Sequence, residues 1–125
     1  MKIRRLKECD AIVAGDGSIL YEIFNPLKDG DLKFRYSIAH ARVPVGSKTK
    51  WHSLEATELY HILQGCGKMY VDEDTAIVEM GDTIYIPAYS WQRIENMGLA
   101  PLIFLCIVDP AWRPEIETVE RSSSK

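Results

Sequence analysis

Polar and apolar positions alternate with a period of two along much of this chain, the spacing of strands buried on one face. The longest such run is LKFRYSIAHARV, Leu32 to Val43. One of its faces carries Leu32, Phe34, Tyr36, Ile38, His40 and Arg42, and the other Lys33, Arg35, Ser37, Ala39, Ala41 and Val43. The bulk on the first face predicts that it is the buried one, at least at its start. KMYVD and TAIVEM predict a hairpin with the polar tip Asp72-Glu73-Asp74. Further strands are expected at TIYIP, WQRIEN and PLIFLCIV, the last apolar on both faces, while ILYEIF reads as either a strand or a turn of helix. Turn signals stand between them at Gly15-Asp16-Gly17, Asp29-Gly30-Asp31 and Gly65-Cys66-Gly67. Eight or more short strands at such spacing predict an all-β sandwich or small barrel. Beyond Pro110, EIETVER suggests one or two helical turns, and the final SSSK a frayed end.

Composition narrows the function classes. The 125 residues fit one domain, large enough to bury a core without disulfides. A net charge of −3, with no basic stripe legible along the chain, argues against nucleic acid as a partner. No window approaches a membrane span, and the charged MKIRRLKECD start lacks the apolar core of a signal peptide. A soluble, cytoplasmic protein with no membrane partner is expected. Three widely spaced cysteines, Cys9, Cys66 and Cys106, make neither a disulfide framework nor a thiolate zinc site.

The chemistry concentrates between Gly46 and Gly65, GSKTKWHSLEATELYHILQG. Alternation puts Glu58, Tyr60 and Ile62 on one strand face and Leu59, His61 and Leu63 on the other, so His61 points away from Glu58 towards a surface or interface. A histidine, His52, and a carboxylate, Glu58, converging inside a β structure would begin a divalent metal site. Without a cation, a buried Glu58 must be protonated, reach water or find a base among Arg42, Lys50 and His40. His40 and Tyr36 share one face of the long strand: turned inward they would act on a substrate proton, and turned outward His40 would carry its tip into water. Trp51, Trp91 and Trp112 read as packing residues, with Trp91 near a barrel mouth.

These residues resemble the cupins, specifically the small single-domain members with one conserved barrel. The first cupin motif runs glycine, five residues, HxH, three or four residues, glutamate, six residues, glycine; Gly46, His52, Glu58 and Gly65 stand at those spacings. The second runs glycine, five residues, proline, one residue, glycine, two residues, histidine, three residues, asparagine; Gly81, Pro87 and Asn96 match it. Three positions depart: Leu54 replaces the second motif histidine, Tyr89 the second motif's inner glycine, and Gln92 its histidine.

The resemblance implies a cupin-type double-stranded β-helix, a jelly-roll-like antiparallel barrel over residues 1–125 with its core at about 30–110. It also implies one divalent metal ion (manganese, iron, nickel or zinc) inside the barrel, for which His52, Glu58 and Gln92 are the ligand positions that remain. The function it implies is isomerase- or dioxygenase-like chemistry on a small hydroxy acid, keto acid or sugar derivative held in the barrel. The alternative is a non-catalytic small-ligand barrel with a degenerate or absent metal site. PLIFLCIV and the outward Leu59 and Leu63 predict a homodimer, since a single-layer barrel cannot hide both of its faces.

Overall fold

The computed structural model describes residues 1–120, and the SSSK end lies outside the described residues. Eleven strands in this span form two antiparallel sheets that close on one another. The first sheet contains β1 (Ala11–Val13), β2 (Ile19–Phe24), β3 (Ser37–Val43), β5 (Thr57–Gln64), β8 (Thr83–Ile86) and β10 (Leu102–Asp109), in the order β1-β2-β3-β10-β5-β8. The second contains β4 (His52–Leu54), β6 (Cys66–Val71), β7 (Asp74–Glu79), β9 (Gln92–Asn96) and β11 (Glu117–Val119), in the order β11-β4-β9-β6-β7. From β3 onward the chain crosses between the sheets at every step except the β6–β7 hairpin, as expected for a jelly-roll-like barrel.

Period-two alternation sets the inner lining. Tyr60, Ile62, Leu102, Phe104, Ile86, Ile94, Met69 and Val43 are buried side chains of one continuous core. A smaller cluster of Leu54, Ala56, Val108 and Ile116, with Trp112 against it, closes the other end. Two glycines are fixed by this packing. A Cβ on Gly67 would sit 2.9 Å from Leu102 Cδ2 and 3.0 Å from the Glu95 carbonyl; one on Gly65, already at φ +93°, would sit 3.2 Å from the Leu102 Cα.

Several expectations are corrected. The choice left open at ILYEIF resolves to a strand, β2, while of the Gly65-Cys66-Gly67 run only Gly65 turns the chain, because Cys66 and Gly67 already begin β6. EIETVER makes one 3-10 turn at Pro114–Ile116 and then a strand, β11, that pairs with β4. The predicted strand from Leu32 begins only at Ser37, and its inward face is the one with small residues: Ser37, Ala41 and Val43 are buried, and Ser37 and Ala39 line a cavity. The large residues point outward, where Phe34 and Tyr36 stack with ring centroids 4.4 Å apart and Tyr36 stays 40% exposed. Bulk predicted the wrong face because the N-terminal segment covers part of the outside of this sheet.

Candidate functional site

Between the two apolar clusters lies a cavity of about 180 Å³, smaller than the roughly 300–1,000 Å³ of drug-sized sites. The Tyr60 and Phe104 rings, 4.4 Å apart, form part of its wall together with Cys106, Leu54, Val108 and Trp112. Its polar lining is acidic. Asp16, Glu22, Glu58 and Glu117 reach it, and among the described residues His52 is its only imidazole and no lysine or arginine stands on the wall.

Glu58 follows from β5 alternation: it faces inward beside Tyr60, paired in register with Val108 on one side and Ile86 on the other. On the opposite sheet His52 and Gln92 are directly cross-strand partners. The Gln92 amide reaches across the barrel and donates from Nε2 to Glu58 Oε1 at 2.9 Å. Burial pushes the Glu58 pKa up to about 8, against the opposing pull of the Gln92 hydrogen bond and with help from the charges of Asp16 and Glu117. Glu58 is therefore a neutral acid at pH 7. Of the escapes open to a carboxyl with no cation beside it, burial favours protonation. None of the bases that might have paired with it is suitably placed: Arg42 and Lys50 are exposed, and His40 lies on the outer face of β3.

His52 is 3% exposed, and its Nδ1 lies 2.8 Å from the Lys50 carbonyl. A carbonyl only accepts, so Nδ1 carries the proton, and a neutral ring keeps its lone pair on Nε2. Nε2 faces Asp16 Oδ2 at 3.6 Å, too long for a direct hydrogen bond. Asp16 is held by its own turn: Oδ1 accepts from the Ser18 backbone N–H at 2.9 Å and the Ser18 hydroxyl at 2.6 Å, while its carbonyl accepts from the Lys50 N–H at 2.6 Å. Glu117, one residue into β11 and opposite Leu54, accepts from Trp112 Nε1 at 3.2 Å. Burial raises its pKa, partly offset by His52.

The structure thus brings His52 and Glu58 to one cavity, with Gln92 behind Glu58 and only 1% exposed. Tyr36 and His40 stand outside the barrel, the outward of the two placements that the sequence left open, so neither reaches the cavity. Asp16 and Glu117 were missed. The Asp-Gly turn and the polar tail were visible, but nothing local says that both meet at His52.

A resident metal ion needs several lone pairs aimed at one point. Here Leu54 contributes none, Gln92 presents an N–H to Glu58, and His52 Nε2 lies nearest a carboxylate on another element. Among the described residues no three histidine, cysteine, aspartate or glutamate side chains form a group that could hold a metal. As arranged, the residues do not fit the ion that the fold family implies.

A model of the cupin domain family matches residues 39–108. The chain is a cupin. This cupin is 42% identical over 104 residues to an uncharacterized protein of Methanocaldococcus jannaschii, with 82% of each chain covered. It is 31% identical over 110 residues to the glucose-6-phosphate isomerase of Pyrococcus furiosus, a match that takes in 77% of this cupin but only 58% of the isomerase. Among solved structures, the polyketide cyclase RemF of Streptomyces resistomycificus superposes with a TM-score of 0.80 at 18% identity, covering 99% of this cupin and 88% of RemF. A predicted oxalate decarboxylase of Thermotoga maritima gives 0.73 at 21%, covering 86% and 97%. At these identities the structural likeness is one of fold.

Proposed function

We propose that this cupin takes a small uncharged or cationic polar molecule, such as a polyol, an unphosphorylated sugar or an amine, into its barrel and can move a proton on it. The observation that carries this reading is the lining: among the described residues, four carboxyl side chains, one imidazole and no lysine or arginine. A carboxylate or phosphate ligand would enter a small, largely apolar cavity without a counter-charge, at a cost of several kcal/mol. An ammonium group would gain Asp16 and Glu117. Hydroxyl groups would find acceptors in both carboxyls and a donor in the protonated Glu58. The hydroxy- and keto-acid classes are therefore disfavoured against the sugar-like one.

In this reading Glu58 donates a proton and His52, oriented by the Lys50 carbonyl and backed by Asp16, accepts one. Two groups set in different environments on opposite walls of one cavity are what a proton shift along a small molecule requires. Trp112, by holding Glu117, is a positioning residue. The outward Leu59 and Leu63 of β5, with Ile103, Leu105 and Ile107 of β10, supply the apolar face for a homodimer.

A second reading has one observation in its favour. Gln92 Oε1 is buried with no partner; with the amide turned over, that oxygen would join Glu58 and His52 as ligands to a divalent cation. Thermal-shift assays on matched ligands separate the two readings. Glucose and glucosamine should raise the melting temperature in excess chelator, whereas gluconate and glucose 6-phosphate should not. Acids that bind more tightly than the neutral and amine forms, and only with added divalent metal, would refute the first reading in favour of the second.

A further inference from the structure

Outside the barrel, a groove of about 710 Å³ runs between the N-terminal segment and the outer faces of β2 and β3, lined by Arg4, Arg5, Lys7, Tyr21, His40 and Arg42 among others. No acidic side chain lines it. Most basic residues near this end of the sheet are paired elsewhere: Lys2 with Asp31 at 2.8 Å, Arg4 with Asp29 at 3.2 Å, Lys28 with Glu22 and Arg35 with Asp109, both at 2.6 Å. Arg5, Lys7 and Arg42 have no such partner among the described residues. The first two of these pairs, with the Arg4 guanidinium 5.3 Å over the Phe24 ring, pin the N-terminal segment so that Arg5 and Lys7 stay over the sheet. In a chain with a net charge of −3, unpaired cations are thus gathered on one face, where they repel one another unless an anion enters.

The floor of the groove adds neutral donors. Tyr21 and His40 are cross-strand partners whose rings meet edge to face at 5.9 Å, and Arg42 lies two residues along the same face of β3. His40 Nδ1 is buried and has no hydrogen-bond partner. A buried polar atom left unpaired costs about 1–3 kcal/mol, and the His40 ring, turned so that Nδ1 meets the groove, would gain an oxyanion as its partner.

We propose that this groove binds a phosphate monoester, with Arg5, Lys7 and Arg42 as its charged contacts and His40 Nδ1 and the Tyr21 hydroxyl as neutral donors. A phosphate monoester carries close to two charges and three strong acceptor oxygens, which match several cations and two donors better than the two oxygens of one carboxylate do. The site is independent of the barrel reading, since it shares none of the cavity's lining.

The test is an NMR titration of the full chain with inorganic phosphate and with glycerol 2-phosphate, against sodium chloride at equal ionic strength. Saturable shifts at Tyr21, His40 and Arg42 are expected. Arg5→Ser and Arg42→Ser, both at exposed positions, should each weaken binding by about tenfold, the effect of losing one charge-assisted contact. Equal shifts from chloride, or affinity unchanged in both variants, would overturn the proposal. Shifts confined to Tyr60, Trp112 and His52 would put the anion in the barrel, defeating this inference and the reading of the cavity together. Groove shifts with a silent barrel support this site and leave the cavity reading to its own assay.

Discussion

Replacing Glu58 by glutamine tests the electrostatics of the cavity directly. The folded chain holds the Glu58 proton up to a pKa of about 8, whereas the carboxyl has an ordinary value of 4.5 when unfolded. Below about pH 4.5 both states are protonated and Glu58 adds no pH dependence. Between the two values the unfolded chain has released the proton and folding must take it back, so stability falls as pH rises, and it levels off above about pH 8. At 1.36 kcal/mol per unit the loss is roughly 3 kcal/mol at pH 7 and nearer 5 kcal/mol above pH 8. Glutamine keeps the shape and still accepts the hydrogen bond from Gln92, but it cannot ionise.

Urea denaturation of wild type and Glu58→Gln in chelator, from pH 4.5 to 9, reads the gap between the two proteins, in which titrating groups that do not interact with Glu58 cancel. The curves should nearly coincide at pH 4.5. The variant should then become the more stable by a margin that grows to pH 8. Parallel curves would show that Glu58 is not held neutral by burial. A variant less stable than wild type at pH 8 would mean that Glu58 is ionised and compensated by a cation, and the proton-based account of the cavity would fail.

Two further outcomes follow from the packing. Gly67→Ala should destabilise by about 1–3 kcal/mol, read from the urea midpoint, because its Cβ meets the fully buried Leu102 and the immovable Glu95 carbonyl; an unchanged midpoint would refute it. Light scattering at micromolar concentration should return about twice 14.2 kDa, and Leu105→Lys, in the middle of the outward β10 face, should return the monomer.

What was legible in the sequence was the local part of the design. Glu58 and His61 were assigned to opposite faces from alternation alone, because a strand's period of two does not depend on its neighbours. Gly46, Gly65 and Gly81 fell at motif spacing and all take left-handed backbone; Tyr89, where the motif has glycine, keeps that conformation at φ +69°. The inward face of β3 was misread because side-chain bulk records burial without saying on which side of the sheet it occurs. His40 and Tyr36 lost their place at the cavity for that reason. Asp16 and Glu117 were invisible as site residues, because only the pairing of β11 with β4 and the strapping of the Asp16 turn onto Lys50 bring them to His52.

The three departures from the cupin motifs do not act alike. Tyr89 keeps the backbone of the glycine it replaces, so it alters the surface and leaves the barrel unchanged. Leu54 and Gln92 remove two imidazoles from the interior, and each gives its neighbourhood a different partner. Leu54 joins the apolar cluster with Val108 and Ile116. Gln92 gives Glu58 a hydrogen bond in place of a cation, which favours the ionised carboxyl but is outweighed by burial, so that the pKa still rises. Once Glu58 is neutral, the charge at the cavity passes to Asp16 and Glu117, one brought by the β1–β2 turn and the other by the last strand, both flanking the His52 side. Substitutions that subtract metal ligands and segments that add carboxylates from outside the motifs thus move the site in the same direction. A cavity in which two independent pieces of chain supply negative charge, and none among the described residues supplies positive, supports the proposal of a positive or hydroxyl-rich guest.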